Sequence, residues 1–334
     1  MTRHGFQRYW VLLILIMMMF VLGGCSNAST PSTPAPSAQT AGQTAQPVKI
    51  GILPIEDNLP FYVADKDGLF KQAGIRVELV PFPSAVERDS ALQAGQIDGE
   101  VADLVAVGLL KKGGTDVKVA SIGLGATPKE GRFAILSSPK SSIRQASELK
   151  DVEIGVSLNS IIDYVTDQML HDVGMQDQEI KKLSVPKMPV RVDMLLSDQL
   201  QAACLPDPLA TLAEAKGAHV LVDDTYRNIS QTVLLFRKAA IDKNLTGLQA
   251  VVRVYGQAGQ ALSQNPGKYR DLFIEKAQVP APIKDTYQAP TFSKLQLPTE
   301  DEVNSVMHWM VNRKLLTNPY AYQDLVDNRL LPQA

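Results

Sequence analysis

Two ten-residue stretches, AGQIDGEVAD at 94–103 and SDQLQAACLP at 197–206, align with each other without a gap. In each stretch a helix end is followed by a turn, a short strand-like run of small and apolar residues, and the start of a new helix. Because repeated supersecondary units indicate internal duplication, the pair predicts two halves of similar topology. Chance similarity between two ordinary α/β turns is the alternative explanation.

The chain around these stretches alternates strand-like and helix-like segments. Before 94–103, the pattern predicts strands at 48–54 and 75–81 and helices at 61–73 and 84–94, with Gly74 and Gly95 as helix-stop signals. Further strands are predicted at 99–104, 117–124, 133–137, 152–157, 202–205, 219–223 and 231–237, and the pattern is helical beyond Asn244. This order predicts an α/β protein with parallel-rich sheets.

Residues 1–24 differ in character from the rest of the chain. Arg3 and Arg8 precede an uninterrupted apolar run at 11–22, which is shorter than the about 20 residues that span a bilayer. A positive start followed by a short apolar run predicts a secretory signal peptide. A single membrane-anchor helix is the alternative.

The apolar run ends in Leu22-Gly-Gly-Cys25, which resembles the lipobox of bacterial lipoproteins. The resemblance implies cleavage before Cys25 and attachment of palmitate-type lipid chains to it, which would anchor an exported protein on the outer face of a membrane. Residues 26–46 contain no charged and no aromatic residue, so 25–46 is predicted to be a lipidated cysteine followed by a disordered tether. Cleavage would remove two positive charges and no negative ones, which takes the net charge from −2 to −4.

Charge and cysteine content exclude two classes of protein. The near-neutral balance of 33 Lys and Arg against 35 Asp and Glu argues against a nucleic-acid partner. The 2 cysteines cannot form a disulfide framework. Cys204 lies in the predicted strand 202–205 and is interpreted as a small buried apolar residue, with a reactive thiol as the alternative.

Several motifs resemble the substrate-binding proteins of ABC importers for nitrate, sulfonates, taurine and thiamine pyrimidine precursors. They are KIGILP at 49–54, PFYVA at 60–64, DGLFKQAG at 67–74, IRVELV at 75–80, ALQAGQID at 91–98 and the helix at 209–217. The likeness covers about 48–237. It implies a type II periplasmic-binding fold, in which two lobes are joined by two crossover strands and a ligand cleft lies between them.

The resemblance also implies approximate lobe bounds. Lobe one would comprise 47–135 and 239–334 and lobe two 136–238, with the crossings near 133–139 and 235–240. The chain departs from the family at Asp198 and Gln201, where Gly and Asp are usual, and at 205–208, where the family often has Trp-Glu-Pro-Tyr beside the ligand. The identity of the solute is therefore not transferred from the family.

Ligands of open parallel sheets bind at the carboxyl ends of strands, beside helix N-termini. We therefore predict that polar and aromatic residues near the ends of predicted strands contact the ligand. They are Asn58, Phe61, Ser84, Asp103, Arg132, Ser157, Asn159, Ser160 and Asp207. Ser84, Ser160 and Asp207 are equally compatible with helix capping alone, Phe61 and Tyr164 with core positions, and Arg132 with a solvated position.

Acidic residues outnumber cations near these strand ends. Glu56, Asp57, Glu100, Asp103 and Asp207 are all close to them, against one clear cation, Arg132. Carboxylate acceptors and an aromatic face favour a small organic solute that is either a taurine-like zwitterionic sulfonate or an aminopyrimidine, over a bare oxyanion such as nitrate.

The sequence contains no recognisable catalytic or metal-binding motif. His171, His219 and His308 have no metal-ligand spacing, and the glycine-containing segments lack the partners of a phosphate loop. No enzymatic activity, metal or cofactor is therefore predicted.

The predicted function is capture of a small solute by a lipid-anchored monomer that delivers it to an ABC permease and its ATPase. A lipoprotein that senses the solute and presents its bound form to a membrane receptor is the alternative. A purely structural lipoprotein is a third possibility.

Overall fold

The computed structural model describes residues 46–227, 229 and 232–332. The predicted signal peptide, Cys25 and nearly all of the predicted tether lie outside the described residues. None of the helices in the described part of the chain is both long and apolar enough to cross a bilayer.

Ten strands are found in the described residues. They are β1 (Val48–Ile52), β2 (Val77–Pro81), β3 (Gly99–Asp103), β4 (Val117–Ile122), β5 (Phe133–Ser137), β6 (Glu153–Val156), β7 (Lys181–Ser184), β8 (Ala202–Pro206), β9 (His219–Asp223) and β10 (Thr232–Arg237). The α/β class and the strand positions predicted from the pattern are confirmed.

The helices fill the intervals and the C-terminal third. They are α1 (Leu59–Lys66), α2 (Leu69–Gln72), α3 (Ala85–Gln93), α4 (Leu104–Lys112), α5 (Ile161–Asp172), α6 (Met188–Leu196), α7 (Leu209–Ala215), α8 (Lys238–Gln264), α9 (Arg270–Lys276), α10 (Glu300–Asn312) and α11 (Tyr322–Leu325). The single helix predicted at 61–73 is wrong: it is two helices, because Gly68 takes a left-handed φ of 68° between them.

The strands form two five-stranded sheets with the same order. The first sheet runs β2-β1-β3-β10-β4 and the second runs β7-β6-β8-β5-β9. In each sheet the first three strands are parallel, and the fourth lies antiparallel between the third and the fifth. The two similar halves predicted from 94–103 and 197–206 are confirmed.

The fourth position of each sheet is filled by a strand that directly follows, in sequence, the last strand of the other sheet. β5 directly follows β4 in sequence yet joins the second sheet, and β10 follows β9 yet joins the first. The chain therefore passes from one sheet to the other after β4 and again after β9, before these strands begin. The predicted crossings at 133–139 and 235–240 were placed too late, because an extended apolar run shows that a strand exists but not which sheet accepts it.

The repeat also places two large side chains in equivalent positions. Arg88 of α3 and Arg191 of α6 are 103 residues apart, which is the spacing of the aligned stretches. Arg88 donates to the carbonyl of Val101 on β3 at 2.6 Å, and Arg191 donates to the carbonyl of Cys204 on β8 at 2.8 Å. Each buried arginine therefore ties a helix to the central strand of its own sheet.

Glycines make room for these arginines. A Cβ atom on Gly51 of β1 would lie 3.0 Å from Cγ of Arg88, and one on Gly155 of β6 would lie 3.4 Å from Cγ of Arg191. Both glycines thus serve the close approach of a helix to the sheet.

Apolar packing is continuous across the two halves. One core cluster contains Val105 and Val107 of α4 together with Tyr164 and Val165 of α5 and Trp309 of α10. The two halves are therefore packed against each other on the side where these helices meet.

Candidate functional site

Residues that follow the carboxyl ends of one strand from each sheet line a common cavity. Leu104, which follows β3, and Ile161, which begins the helix after β6, line the same cavity of about 210 Å³. Tyr164, Arg227 and Ser305 also line it. None of the nine residues predicted to bind ligand lines this cavity, although Asp103 and Ser160 immediately precede two that do. The cavity therefore lies between the two halves, and of the predicted residues only Asp103 and Ser160 are sequence neighbours of its lining.

Glu56 of the first half interacts electrostatically with an acidic residue of the second half. It follows β1, its exposed fraction is only 4%, and it accepts a hydrogen bond of 2.8 Å from the hydroxyl of Tyr287. Burial, opposed in part by the hydrogen bond from Tyr287, raises the pKa of Glu56 to about 8, and the negative charges of Asp207, beyond β8 of the other sheet, and of Asp57 contribute to this rise. Carboxyl groups from both halves therefore meet at this point.

The cation that pairs with Asp207 is Arg132, and it is also engaged by other acids. Arg132 pairs with Asp207 at 3.1 Å and with Asp223 at 3.7 Å, and it also pairs with Glu214. These carboxylates raise the pKa of Arg132 further above its usual range, against the opposing effect of burial. Arg132 is thus neither a solvated residue nor a free anion-binding group.

Asp207 lies just before the N-cap residue of α7. The sequence is compatible with Asp207 as a helix cap, but α7 begins at Leu209 and its N-cap residue is Pro208. The Asp207 carboxylate nevertheless accepts the backbone N–H of Thr211 at 2.9 Å. A negative side chain therefore occupies the first turn of this helix.

Asp57 and Asn58 complete the turn after β1. Thr232 donates its hydroxyl to Asp57 at 2.6 Å, and the hydroxyl of Tyr255 donates to the Asp57 carbonyl at 2.8 Å. Asn58 is fully buried; its Nδ2 donates to the Leu53 carbonyl at 3.0 Å, while its Oδ1 has no hydrogen-bond partner among the described residues. The turn thus presents an unsatisfied acceptor beside two carboxyl groups.

The other predicted residues of the first half have structural partners. Phe61 is fully buried and packs on Tyr255 with ring centroids 4.9 Å apart, which is the core position named as its alternative. Ser84 caps α3 and Asp103 caps α4 through the backbone N–H of Ala106 at 2.9 Å. Burial raises the pKa of Asp103 to about 6.

Ser157, Asn159 and Ser160 form the turn between β6 and α5. Ser160 caps α5 by accepting the Ile162 N–H at 3.2 Å and donates to the Ser157 carbonyl at 2.7 Å. Asn159 is exposed, with a left-handed φ of 59°. Arg191 lies below this turn and donates to the hydroxyl of Ser157.

Catalytic and metal-binding arrangements are not evident in this region. Cys204 is fully buried, and burial raises the pKa of its thiol to about 12, so it is not a nucleophile at neutral pH. Within the described ranges, no group of three or more His, Cys, Asp or Glu side chains is placed to hold a metal ion.

Sequence reasoning missed four side chains that shape the site. Arg88, Arg191, Thr232 and Tyr287 come from helix interiors, the returning strand and the C-terminal segment. The two arginines could have been found by extending the aligned stretches backwards, since they keep the spacing of 103 residues. Tyr287 had no such signal, because it lies outside the repeat.

Comparison with known proteins places these features in a family. The model of the NMT1-like family matches residues 41–273. A putative ABC transporter periplasmic binding protein of Brachyspira hyodysenteriae is 24% identical over 271 residues, which is 76% of this chain and 73% of that protein.

Solved structures share the fold. The periplasmic aliphatic sulphonate binding protein SsuA from Escherichia coli superimposes with a TM-score of 0.74 at 17% identity, covering 85% of this chain and 98% of that chain. The desulfurization enzyme DSZB superimposes with a TM-score of 0.64 at 14% identity, covering 85% of this chain and 97% of that chain. The periplasmic-binding fold predicted from the sequence is thereby confirmed, and because the family model spans most of the chain, this protein belongs to the NMT1-like family.

Proposed function

We propose that this protein is the substrate-binding component of an ABC importer and captures a small organic solute between two lobes. The observation that carries the proposal is the proximity of strand ends from both sheets: the charge of Asp207, which follows β8, raises the pKa of Glu56, which follows β1. Carboxyl ends of parallel strands are where open α/β sheets bind ligands.

Each sheet with its helices would move as one lobe. Along the described part of the chain between β1 and β10, the sheet membership of consecutive strands changes twice, from β4 to β5 and from β9 to β10, so bending at these two connections would open and close the cleft. The closed form, as a monomer, would then dock on a permease served by its ATPase.

The N-terminal segment supports delivery from a fixed position. Cleavage after Gly24 and lipidation of Cys25 would leave the folded part on a flexible tether outside the membrane. A tether raises the local concentration of the binding protein near its permease. Labelling with a radioactive or alkyne palmitate analogue, lost in Cys25→Ser, tests this anchor.

A binding role without catalysis is part of the proposal. DSZB demonstrates that this fold also carries enzymes, so the fold alone does not decide the matter. The only cysteine among the described residues, Cys204, is buried with a raised pKa, and this supports capture over thiol chemistry. The solute classes we propose are sulfonate or taurine-like and aminopyrimidine-like.

The experiment that tests capture is native mass spectrometry of the protein purified without dialysis. We expect a stoichiometric small molecule that is released on unfolding. After its removal and re-addition, small-angle scattering should show a smaller radius of gyration. Absence of any co-purifying molecule, together with no compaction by extracts of small metabolites, would contradict the proposal.

A further inference from the structure

The connection between β4 and β5, residues 123–132, is attached to the first half close to its end. The Glu130 side chain is only 3% exposed, and its carboxylate accepts the backbone N–H of Ala126 at 3.0 Å and the hydroxyl of Thr127 at 3.2 Å. It also accepts the hydroxyl of Ser293, which lies between α9 and α10. Glu130 therefore holds the connection to itself and to the C-terminal part of the chain.

The segment that contains Ser293 belongs to the first half. The neighbouring Phe292 donates its backbone N–H to the hydroxyl of Ser263 on α8 at 2.7 Å. Its carbonyl accepts the side-chain amide of Gln260, also on α8, at 2.7 Å. Helix α8 packs on α1 and on β10 of the first sheet. Glu130 therefore moves with the first half of the molecule.

Arg132, two residues later, is attached to the second half. Its guanidinium pairs with Asp207, which follows β8, and also with Glu214 and Asp223. Its carbonyl accepts the backbone N–H of Asp207 at 2.9 Å. Strand β5 of the second sheet begins at the next residue. Arg132 therefore moves with the second half.

Gly131 is the residue between these two attachments. Its φ is 74°, in the left-handed region, and a Cβ atom added to it would have no other atom within 4 Å. Among the described residues, neither its backbone N–H nor its carbonyl has a hydrogen-bond partner. Rotation about the backbone bonds of Gly131 therefore breaks no contact of this residue.

We propose that Gly131 is the hinge of this connection: its backbone rotates as the cleft opens and closes, while Glu130 and Arg132 stay attached to their own halves. This inference rests on the lobe movement of the proposed function and locates the movement at one residue. Glycine suits the position because it takes positive and negative φ at similar cost. Neither arrangement of the halves is then penalised by a side chain.

Substitutions of Gly131 that differ in φ preference test the hinge. Asparagine tolerates a left-handed φ, whereas the β-branched valine does not. Gly131→Val should therefore lower the population of the arrangement with a φ of 74° about tenfold relative to the other arrangement. Gly131→Asn should stay close to the unmodified protein.

Gly114→Val is the matched control for the strain itself. Gly114 lies in the turn between α4 and β4, within the first half, has a φ of 86° and also has no atom within 4 Å of an added Cβ. The same side chain should cost similar stability at both positions, which urea unfolding measures, yet only Gly131→Val should change how the halves are arranged.

Spin labels on one exposed residue of each half report the arrangement. Val86 of α3 is 76% exposed and Val190 of α6 is 45% exposed. Their helices follow β2 and β7, the edge strands farthest from β4 and β9, so rotation at the connection moves them strongly. Double electron–electron resonance on the solute-free full chain in detergent, with Cys25→Ser, Val86→Cys and Val190→Cys, gives the label distances. Cys204 is fully buried and takes no label.

We expect a changed ratio of label distances for Gly131→Val and the unmodified ratio for Gly131→Asn and Gly114→Val. An unchanged distribution in Gly131→Val overturns the hinge. An equal change in Gly114→Val also overturns it, because strain anywhere in the first half would then have the same effect.

Ser293→Ala tests whether rotation is confined to one residue. Loss of this donor frees Glu130 from the first half, so rotation can spread along the connection, and we expect a broader distribution of label distances. Ser197→Ala, which removes an exposed hydroxyl bonded to the Asp193 carbonyl at 2.7 Å, is the control and should leave the width unchanged. An equal width in the two variants contradicts the confinement to Gly131.

The outcomes separate the hinge from the proposed function. The label distance of the unmodified protein is also compared before and after dialysis removes the co-purifying molecule. If it changes while Gly131→Val has no effect, capture by lobe closure stands and the hinge is wrong. If it does not change, lobe closure and hinge both fail, and capture is decided by the co-purifying molecule alone.

Discussion

Burial of the Glu56 carboxyl beside other acids makes the stability of the protein depend on pH. Its pKa is about 8 in the folded protein against 4.5 for the ordinary group. Between these values the folded protein holds a proton that the unfolded chain has released. Raising the pH from 4.5 to 8 therefore lowers the free energy of unfolding, and below 4.5 the effect disappears.

Glu56→Gln should remove this dependence. At pH 7.5 we expect the variant to be more stable by on the order of 2 kcal/mol, because no ionised reference state competes with the buried amide. At pH 4.5 the two proteins should be nearly equal. Urea unfolding at both pH values measures the difference, and parallel pH profiles of the two proteins would contradict the assignment of Glu56.

Three of the residues predicted to bind ligand have a structural role as helix caps. Ser84, Asp103 and Ser160 cap α3, α4 and α5 through backbone N–H groups, which local sequence indicated. Capping does not exclude a ligand contact, and their contact with the solute stays a prediction.

At the scale of elements, the pairing of β3 with β10 depends on Gly99. A Cβ atom there would lie 2.6 Å from the backbone oxygen of Leu235 and 2.3 Å from the ring of Phe236. On Gly51 of β1, the closest atom, at 2.4 Å, is the terminal methyl of Ile97. A side-chain end can rotate away, whereas the backbone of a paired strand cannot.

Gly99→Ala should therefore be more destabilising than Gly51→Ala. We expect the free energy of unfolding to fall by about 3 kcal/mol for Gly99→Ala and by about 1 kcal/mol for Gly51→Ala. Introduced into an Ile97→Val background, Gly51→Ala should cost less, because the clashing methyl group is absent. Chemical denaturation gives both values. Equal losses would mean that β10 shifts to accept the new methyl group.

At the scale of the whole molecule, α10 connects the halves. It packs on α4 of the first half, and its Trp309 donates to the buried Asp167 of α5 at 2.9 Å. Ser305 of the same helix shares a hydrogen bond of 2.9 Å with Tyr164. These bonds lie on the side of the interface where the cavity is found.

Trp309→Phe should loosen this connection. Loss of the indole N–H leaves Asp167 with Lys182 as its partner, and we expect the free energy of unfolding to fall by about 2 kcal/mol. Small-angle scattering of the solute-free variant should give a larger radius of gyration. Tyr322→Phe, which removes a single bond of 2.9 Å to Pro298, is the control and should leave the radius unchanged. A radius for Trp309→Phe that equals that of the control would show that α10 does not hold the halves together.

Local sequence was sufficient for much of the fold. The aligned stretches 94–103 and 197–206 indicated the duplication, since helix ends, turns and short strands are decided by neighbouring residues. Asp198 also takes the left-handed φ of 60° expected for the position that is glycine in the family. The strand ends also indicated where helix caps occur, and Ser84, Asp103 and Ser160 are found as such caps.

Only the tertiary structure decided which sheet receives β5 and β10 and which charges are compensated. Sheet membership depends on packing between segments far apart in the chain, which periodicity does not record. The sequence indicates Arg132 as the cation available to a ligand, yet three acids engage it, whereas the buried Arg191 forms no ion pair with the described residues. Sequence therefore determined the duplicated framework. The tertiary structure decided which charged side chains have partners of opposite charge, because such pairing depends on distances in space.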